Sequence, residues 1–342
     1  MNDVAHPFAR ASGIGSWPGT APRAAADVVV GELAGGLPHL VELPARGVGA
    51  DLLGRAGALL IDVAIDTVPR RDRLAARPGA VTRRAVSFLD EDCDGLEEAW
   101  EVAGLRGGGR VVKVQAPGPV TLAAGLELAN GHRAITDAGA VRDLAASLAE
   151  GVAAHRAALA RRLDATVVVQ FDEPSLPTAL AGRLTPVTTL SPVGRLDEAV
   201  ATALLDICVA AVSPLPVLMH CGAPDIPWNV LQRSTISALS LDASTLQAAD
   251  LDSIAAFVES GRTVMLAVVP ASAPESRPSA EEMARAVVAV TDRLGFGRTA
   301  LRDRIGVTPV CGLAGATTQW ARTAIELARA AADAFAEDPD AI

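Results

Sequence analysis

The chain has 342 residues, half of them hydrophobic, and a formal net charge of -10. That is enough apolar chain for one large core or two small ones, and the acidic balance excludes a nucleic-acid groove or an anionic membrane as the natural partner. Cys93, Cys208, Cys221 and Cys311 are widely spaced, which fits thiols in a reducing cytosol better than a disulfide scaffold. The first ten residues have no apolar signal core. No apolar run reaches the roughly eighteen residues of a membrane span, so a cytoplasmic location is expected. Arginine carries nearly all the positive charge, and Lys113 is the only lysine.

Strand-like and helix-like runs alternate along the chain. Gly13–Ser16 is a short apolar run, after which Thr20 reads as the cap of a helix over Ala21–Leu33 with Pro22 in its first turn. His39–Leu43 is a second strand and Ala50–Leu60 a helix. Residues 61–93 hold no clear period and read as an insertion on a rim; Asp94 and Glu97 then read as a capping box opening a helix to Ala103. Strands are expected at Val111–Gln115, Ala165–Phe171, Pro216–His220, Ile236–Leu241, Thr263–Val269 and Arg304–Val310. Helices are expected over Ala138–Leu163, Leu196–Val212, Leu246–Glu259, Ser279–Leu294 and Thr317–Phe335.

Eight apolar strands alternating with helices imply a parallel sheet covered on its outer face. The expectation is therefore an α/β fold, a single (β/α)8 TIM barrel spanning 1–342 as one domain. The alternative, an open doubly wound sheet, lacks its fingerprint: Gly13-Ile14-Gly15 runs into Ser-Trp-Pro.

In a barrel the chemistry gathers at the C-terminal ends of the strands. Those ends read Ser16, Glu42, Gln115, Asp172 with Glu173, His220 with Cys221, Asp242, and Cys311. Two thiols, an imidazole and a carboxylate make a donor set suited to zinc, and a bound zinc could hold a substrate thiol as thiolate. Asp242 reads equally as an N-cap ahead of Ala243-Ser244-Thr245. Adjacent residues on a strand face opposite sides, so His220 and Cys221 can share a metal only if the chain turns at Cys221. Asp172 and Glu173 could hold a substrate ammonium, or one of them could cap a turn. Ser16 with nearby backbone N–H groups could bind a carboxylate, or serve only as a turn serine.

Several segments together carry a resemblance. Gly13-Ile14-Gly15-Ser16-Trp17-Pro18-Gly19-Thr20, Ala116-Pro117-Gly118-Pro119-Val120-Thr121, Gln170-Phe171-Asp172-Glu173-Pro174-Ser175-Leu176 and Thr308-Pro309-Val310-Cys311-Gly312-Leu313 resemble motifs of the catalytic domain of cobalamin-independent methionine synthase. That family lies within the barrel superfamily that includes uroporphyrinogen decarboxylase. The resemblance implies that Ile14, Gly15, Ser16 and Asp172 hold the amino-acid part of homocysteine; the strand-end reading adds Glu42, Gln115 and Glu173 as candidate substrate contacts. It implies a catalytic zinc at His220, Cys221, Asp242 and Cys311, and transfer of a methyl group to the substrate thiol. The long enzymes add an N-terminal barrel that helps bind folate, for which this chain has no room. The methyl donor is then a shorter folate, a corrinoid protein or another donor. The family's His after the seventh strand is replaced by Val269-Pro270-Ala271-Ser272.

Two other readings fit the same residues. A metal-independent, decarboxylase-like relative would use clustered arginines, for which Arg46 and Arg70-Arg71-Arg73 are candidates. A non-catalytic small-molecule-binding or regulatory protein would keep the pocket alone.

Overall fold

A computed structural model describes residues 6–68, 71–187 and 192–341. In chain order the first elements are α1 (Pro22–Leu33), α2 (Leu52–Leu59), β1 (Ala64–Val68), β2 (Arg71–Ala75), α3 (Ala80–Val102), β3 (Val111–Pro117), α4 (Pro119–Gly125) and α5 (Ala138–Leu163). There follow β4 (Thr166–Asp172), α6 (Leu176–Leu180), α7 (Glu198–Ala211), β5 (Val217–His220), α8 (Trp228–Arg233), β6 (Ala238–Asp242) and α9 (Leu251–Glu259). The last are β7 (Thr263–Val269), α10 (Ala280–Arg293), α11 (Thr299–Arg304), β8 (Ile305–Pro309) and α12 (Thr318–Glu337).

The fold is mixed α/β, built on a curled parallel sheet of six strands in the order β3-β4-β5-β6-β7-β8. Of the eight strands expected, the first two are not regular strands. Segments 10–16 and 37–42 are held by single parallel bridges: Ala11 to Val307, Ser16 to Glu42, and His39 to Lys113. Their backbone bonds run from β8 across to β3. Ser12 N donates to Val307 O at 3.1 Å, Trp17 N to Glu42 O at 2.8 Å, and Leu40 N to Lys113 O at 2.9 Å.

Period-two alternation sorts each strand into an outer face under the helices and an inner face. The inner face begins apolar. Val111, Val168, Leu218, Ala238 and Met265 cluster with Phe8 and Leu37 near the N-terminal ends of the strands. Two residues further along, the same face turns polar, with Lys113, Gln170, His220 and Ser240, all buried. This step from apolar floor to polar upper layers is what creates a site.

Two helix starts differ from expectation. Thr20 is not the cap of α1; Ala21 stands at that position without a side-chain bond, and Pro22 begins the helix. Segment 61–93 is an antiparallel pair, β1 with β2, followed by the first half of α3. The helix expected to open at Asp94 already began at Ala80. Asp94 and Glu97 sit inside it and bind Arg162 of α5 at 2.7 and 2.5 Å.

Candidate active site

A cavity of about 290 Å³ opens at the C-terminal ends of the strands, and Ile14, Ser16, Glu42, Asp172, His220 and Cys311 line it. It lies at the small end of ligand pockets, which run from about 300 Å³ upward, so it suits a molecule of amino-acid size. The lining residues come from five separate stretches of chain, around 14–16, 42, 172, 220 and 311, which the fold brings together. Asp172 of β4 lies beside His220 of β5. Ser16 pairs with Glu42, and its carbonyl accepts from Leu313 N at 2.9 Å. Gly312 permits that approach, because a Cβ there would collide with Ser16 Oγ.

The electrostatics are set by burial. Desolvation raises Glu42, with Arg55 and Lys113 opposing. It also raises Asp172 well above the usual carboxylate range, reinforced by the neighbouring Glu42 charge and opposed by Lys113. Glu42 accepts an ion pair from Arg55 Nε at 3.5 Å. Arg55 in turn donates to Asp92 Oδ2 at 2.6 Å, and Arg46 bonds both Asp92 oxygens at 2.7 Å. His220 is pushed down to about 4, by desolvation first and the Lys113 charge second. It is therefore neutral at pH 7, with Nδ1 3.3 Å from Ser240 Oγ.

The remaining candidates stand apart from the cavity. Cys221 faces the apolar core, where burial pushes its thiol up to about 12. The chain does not turn there, since Cys221 N continues the sheet to Ser240 O at 3.1 Å. Asp242 caps a 3-10 turn: its Oδ1 accepts from Ser244 N at 2.8 Å and Ser244 Oγ at 2.7 Å. Glu173, one residue past Asp172 and so on the opposite face, accepts from Val120 N, Thr121 N and Thr121 Oγ1 at 2.7–2.8 Å. It caps α4 rather than holding a ligand. Gln115 packs over Gly15, where a side chain would collide with it, and donates to Leu40 O at 2.7 Å.

The donor set therefore does not fit a tetrahedral zinc site as folded. His220 and Cys311 share the cavity, whereas Cys221 and Asp242 are committed elsewhere. Among the described residues no three His, Cys, Asp or Glu side chains converge to hold a metal. The arginines of the decarboxylase-like reading are also engaged. Arg46 is spent on Asp92 and lies over the Phe88 ring at 4.4 Å. Arg73 pairs with Glu127 at 2.8 Å. Arg70 and the Arg71 side chain lie outside the described residues.

Sequence reasoning missed Lys113 and Gln170, which lie directly beneath the cavity and bond to Ile14 and to each other. The signal was present: a single lysine interrupts the otherwise apolar start of β3.

A search of curated protein sequences gives no match. Among solved structures, a B12-independent methionine synthase from Shewanella sp. W3-18-1, in complex with selenomethionine, aligns with a TM-score of 0.60. The identity is 15%, over 95% of this chain and 97% of that one. A GH26 endo-beta-1,4-mannanase catalytic domain from Bacillus sp. JAMB-750 aligns at 0.37 with 13% identity, over 73% and 71% of the two chains. The family model described as "Cobalamin-independent synthase, Catalytic domain" matches residues 8–334. With nearly the whole length matched, the chain belongs to the cobalamin-independent synthase catalytic-domain family.

Proposed function

We propose that the protein is a cytoplasmic S-methyltransferase that methylates a small amino-acid thiol such as homocysteine. The observation that carries this reading is the meeting of Ser16, Glu42 and Asp172 with His220 and Cys311 in one small cavity. Glu42 and Asp172 are acceptors for a substrate ammonium, and Ser16 is a donor for its carboxylate. The thiol end then points to His220 and Cys311. Methyl transfer requires sulfur as thiolate. His220, neutral at pH 7, is a hydrogen-bond partner for the substrate sulfur, whose proton passes to water at the open side while the sulfur bonds the methyl carbon and the donor leaves with the broken bond's electron pair. Holding both ends of a small molecule supplies the in-line geometry.

The cavity is too small for an amino acid and a folate together, so the donor, a methylated folate or a corrinoid protein, approaches from the open side. Segments 10–16 and 37–42 are taken as the first two positions of an eight-stranded barrel. Residues 1–342 then form one domain, with 61–93 on its rim.

Zinc is the cofactor implied by the resemblance. Its test is metal content of tag-free protein beside a Cys311→Ser variant. About one zinc per chain, lost in the variant, would establish metal activation of the thiol. Absence of zinc after reducing reconstitution would leave the metal-free form. Turnover is tested with L-homocysteine and methylated folates or a methylated corrinoid protein. Glu42→Gln and Asp172→Asn should each weaken homocysteine binding about tenfold or more, the loss of a charged hydrogen bond. A binding protein without turnover is the second reading, favoured by the separation of Cys221 and Asp242 from the cavity. It predicts thermal stabilisation by L-methionine with no methyl transfer from any of these donors.

A further inference from the structure

The floor of the cavity is built on a charge that the chemistry above does not use. Lys113, the only lysine in the chain, lies in the middle of β3 and is 0% exposed. Desolvation lowers Lys113 to about 7, with the Asp172 and Glu42 charges opposing, and an amine removed from water needs acceptors. Its Nζ donates to Ile14 O at 3.1 Å and to Gln170 Oε1 at 2.5 Å. The Gln170 amide stands with its oxygen toward Lys113 and its nitrogen toward two acceptors. That nitrogen donates to Ile14 O at 2.8 Å and to Asp172 Oδ1 at 2.7 Å.

Two consequences reach the cavity. One Asp172 oxygen is held from below by Gln170, which orients the carboxylate that lines the cavity. The Ile14 carbonyl accepts from both Lys113 and Gln170, and peptide planarity turns the Gly15 N–H away from that side. A charge of this kind is poor support for stability alone, since apolar replacements of buried ion pairs are often neutral or stabilising. Its position is explained by what it orients.

We propose that Lys113 and Gln170 are positioning residues for an α-amino-acid head group. They set the Asp172 carboxylate for the substrate ammonium and the 14–15 peptide for the substrate carboxylate. The cavity thereby selects an intact zwitterion over molecules lacking either charge. This rests on the amino-acid thiol reading above and adds the residues that impose it.

The test compares binding of L-methionine, 4-(methylthio)butanoate and 3-(methylthio)propylamine by calorimetry. Proteins are the full chain and its Lys113→Met and Gln170→Met variants, each checked for folding by thermal unfolding. The unmodified chain should prefer L-methionine at least about tenfold over either truncated analogue, as a site built to bond a group rejects ligands without it. Both variants should lose about that factor for L-methionine and less for the analogues, each of which keeps only one of the two oriented contacts, so the preference narrows. Gln170→Met removes the link to Asp172 and leaves the lysine in place, so it carries the test if Lys113→Met does not fold. A second readout needs no variant: a chain labelled with 13C-lysine has one lysine side-chain signal, and L-methionine should shift it while the analogues do not.

The proposal is overturned if the folded variants keep the preference, or if the lysine signal stays fixed at saturation. Retained methionine binding in that case leaves the methyltransferase reading standing. If L-methionine and L-homocysteine do not bind but another L-amino acid does, with the same dependence on Lys113 and Gln170, the positioning role stands and the thiol reading falls. If no amino acid binds, both fall.

Discussion

His39 is buried against Gly13 with Nδ1 3.1 Å from Leu40 O and Nε2 without a partner. Desolvation, with the Lys113 charge second, lowers it from 6.5 to about 3. Between those values the unfolded chain binds a proton that the folded one refuses, so stability is full above 6.5 and falls as pH drops. Glu42, Asp172 and Glu173 are raised and act in the opposite sense. The prediction is therefore differential: between pH 7 and 5, denaturant unfolding of the native chain should lose more stability than that of His39→Gln. Cys221 gives a second residue-scale prediction. Cys221→Ala should cost about 1–2 kcal/mol, as core truncations do, and leave L-methionine affinity unchanged in calorimetry. The strand ends could be read from sequence because apolar runs stop there at polar residues. Which side each polar residue faces follows from parity, and parity put Asp172 and His220 inside and Glu173 and Cys221 outside. Asp242 has the inward parity of Ser240, so its commitment to Ser244 was decided by the turn that follows, which the strand pattern does not encode.

At the scale of elements, two helical glycines separate packing from propensity. Gly151 of α5 faces Leu59 O, and a Cβ there would collide with that carbonyl. Gly151→Ala should destabilise by about 3 kcal/mol, the upper range for overpacking. Gly31 of α1 is exposed with nothing near its missing Cβ. Gly31→Ala should stabilise by about 0.5–1 kcal/mol, and thermal unfolding of both variants reads the contrast. Capping boxes show why element boundaries were only partly legible. Ser279 with Glu282 forms one, bonds in both directions, and opens α10. Asp94 with Glu97 has the same spacing, yet both are recruited by Arg162 from another helix. Local sequence is identical in kind; tertiary partners decide. The β1–β2 pair was unreadable for a related reason: its alternation is charged and partly exposed, so it lacks the apolar signal by which a strand is recognised.

Across the whole molecule, Asp92 ties the rim to the site. From α3 it binds Arg46, on the 3-10 turn after Glu42, and Arg55 on α2, and Arg55 reaches Glu42 itself. Removing one partner of a buried pair leaves the other charge unpaired, so Asp92→Ala should cost about 3–5 kcal/mol. It should also weaken L-methionine binding through Glu42, which denaturant titration and calorimetry would read separately. The parallel architecture was legible because six strands are buried on both faces. The first two positions were harder, because 10–16 and 37–42 are held by isolated bridges and carry their residues into place without forming ladders. The burial of Lys113 leaves the exterior with guanidinium as its only side-chain cation. Succinimidyl esters and aldehydes, which need a free primary amine, would find no lysine on the folded surface. A lysine-directed cross-linker would report no contacts even in a tightly associated sample.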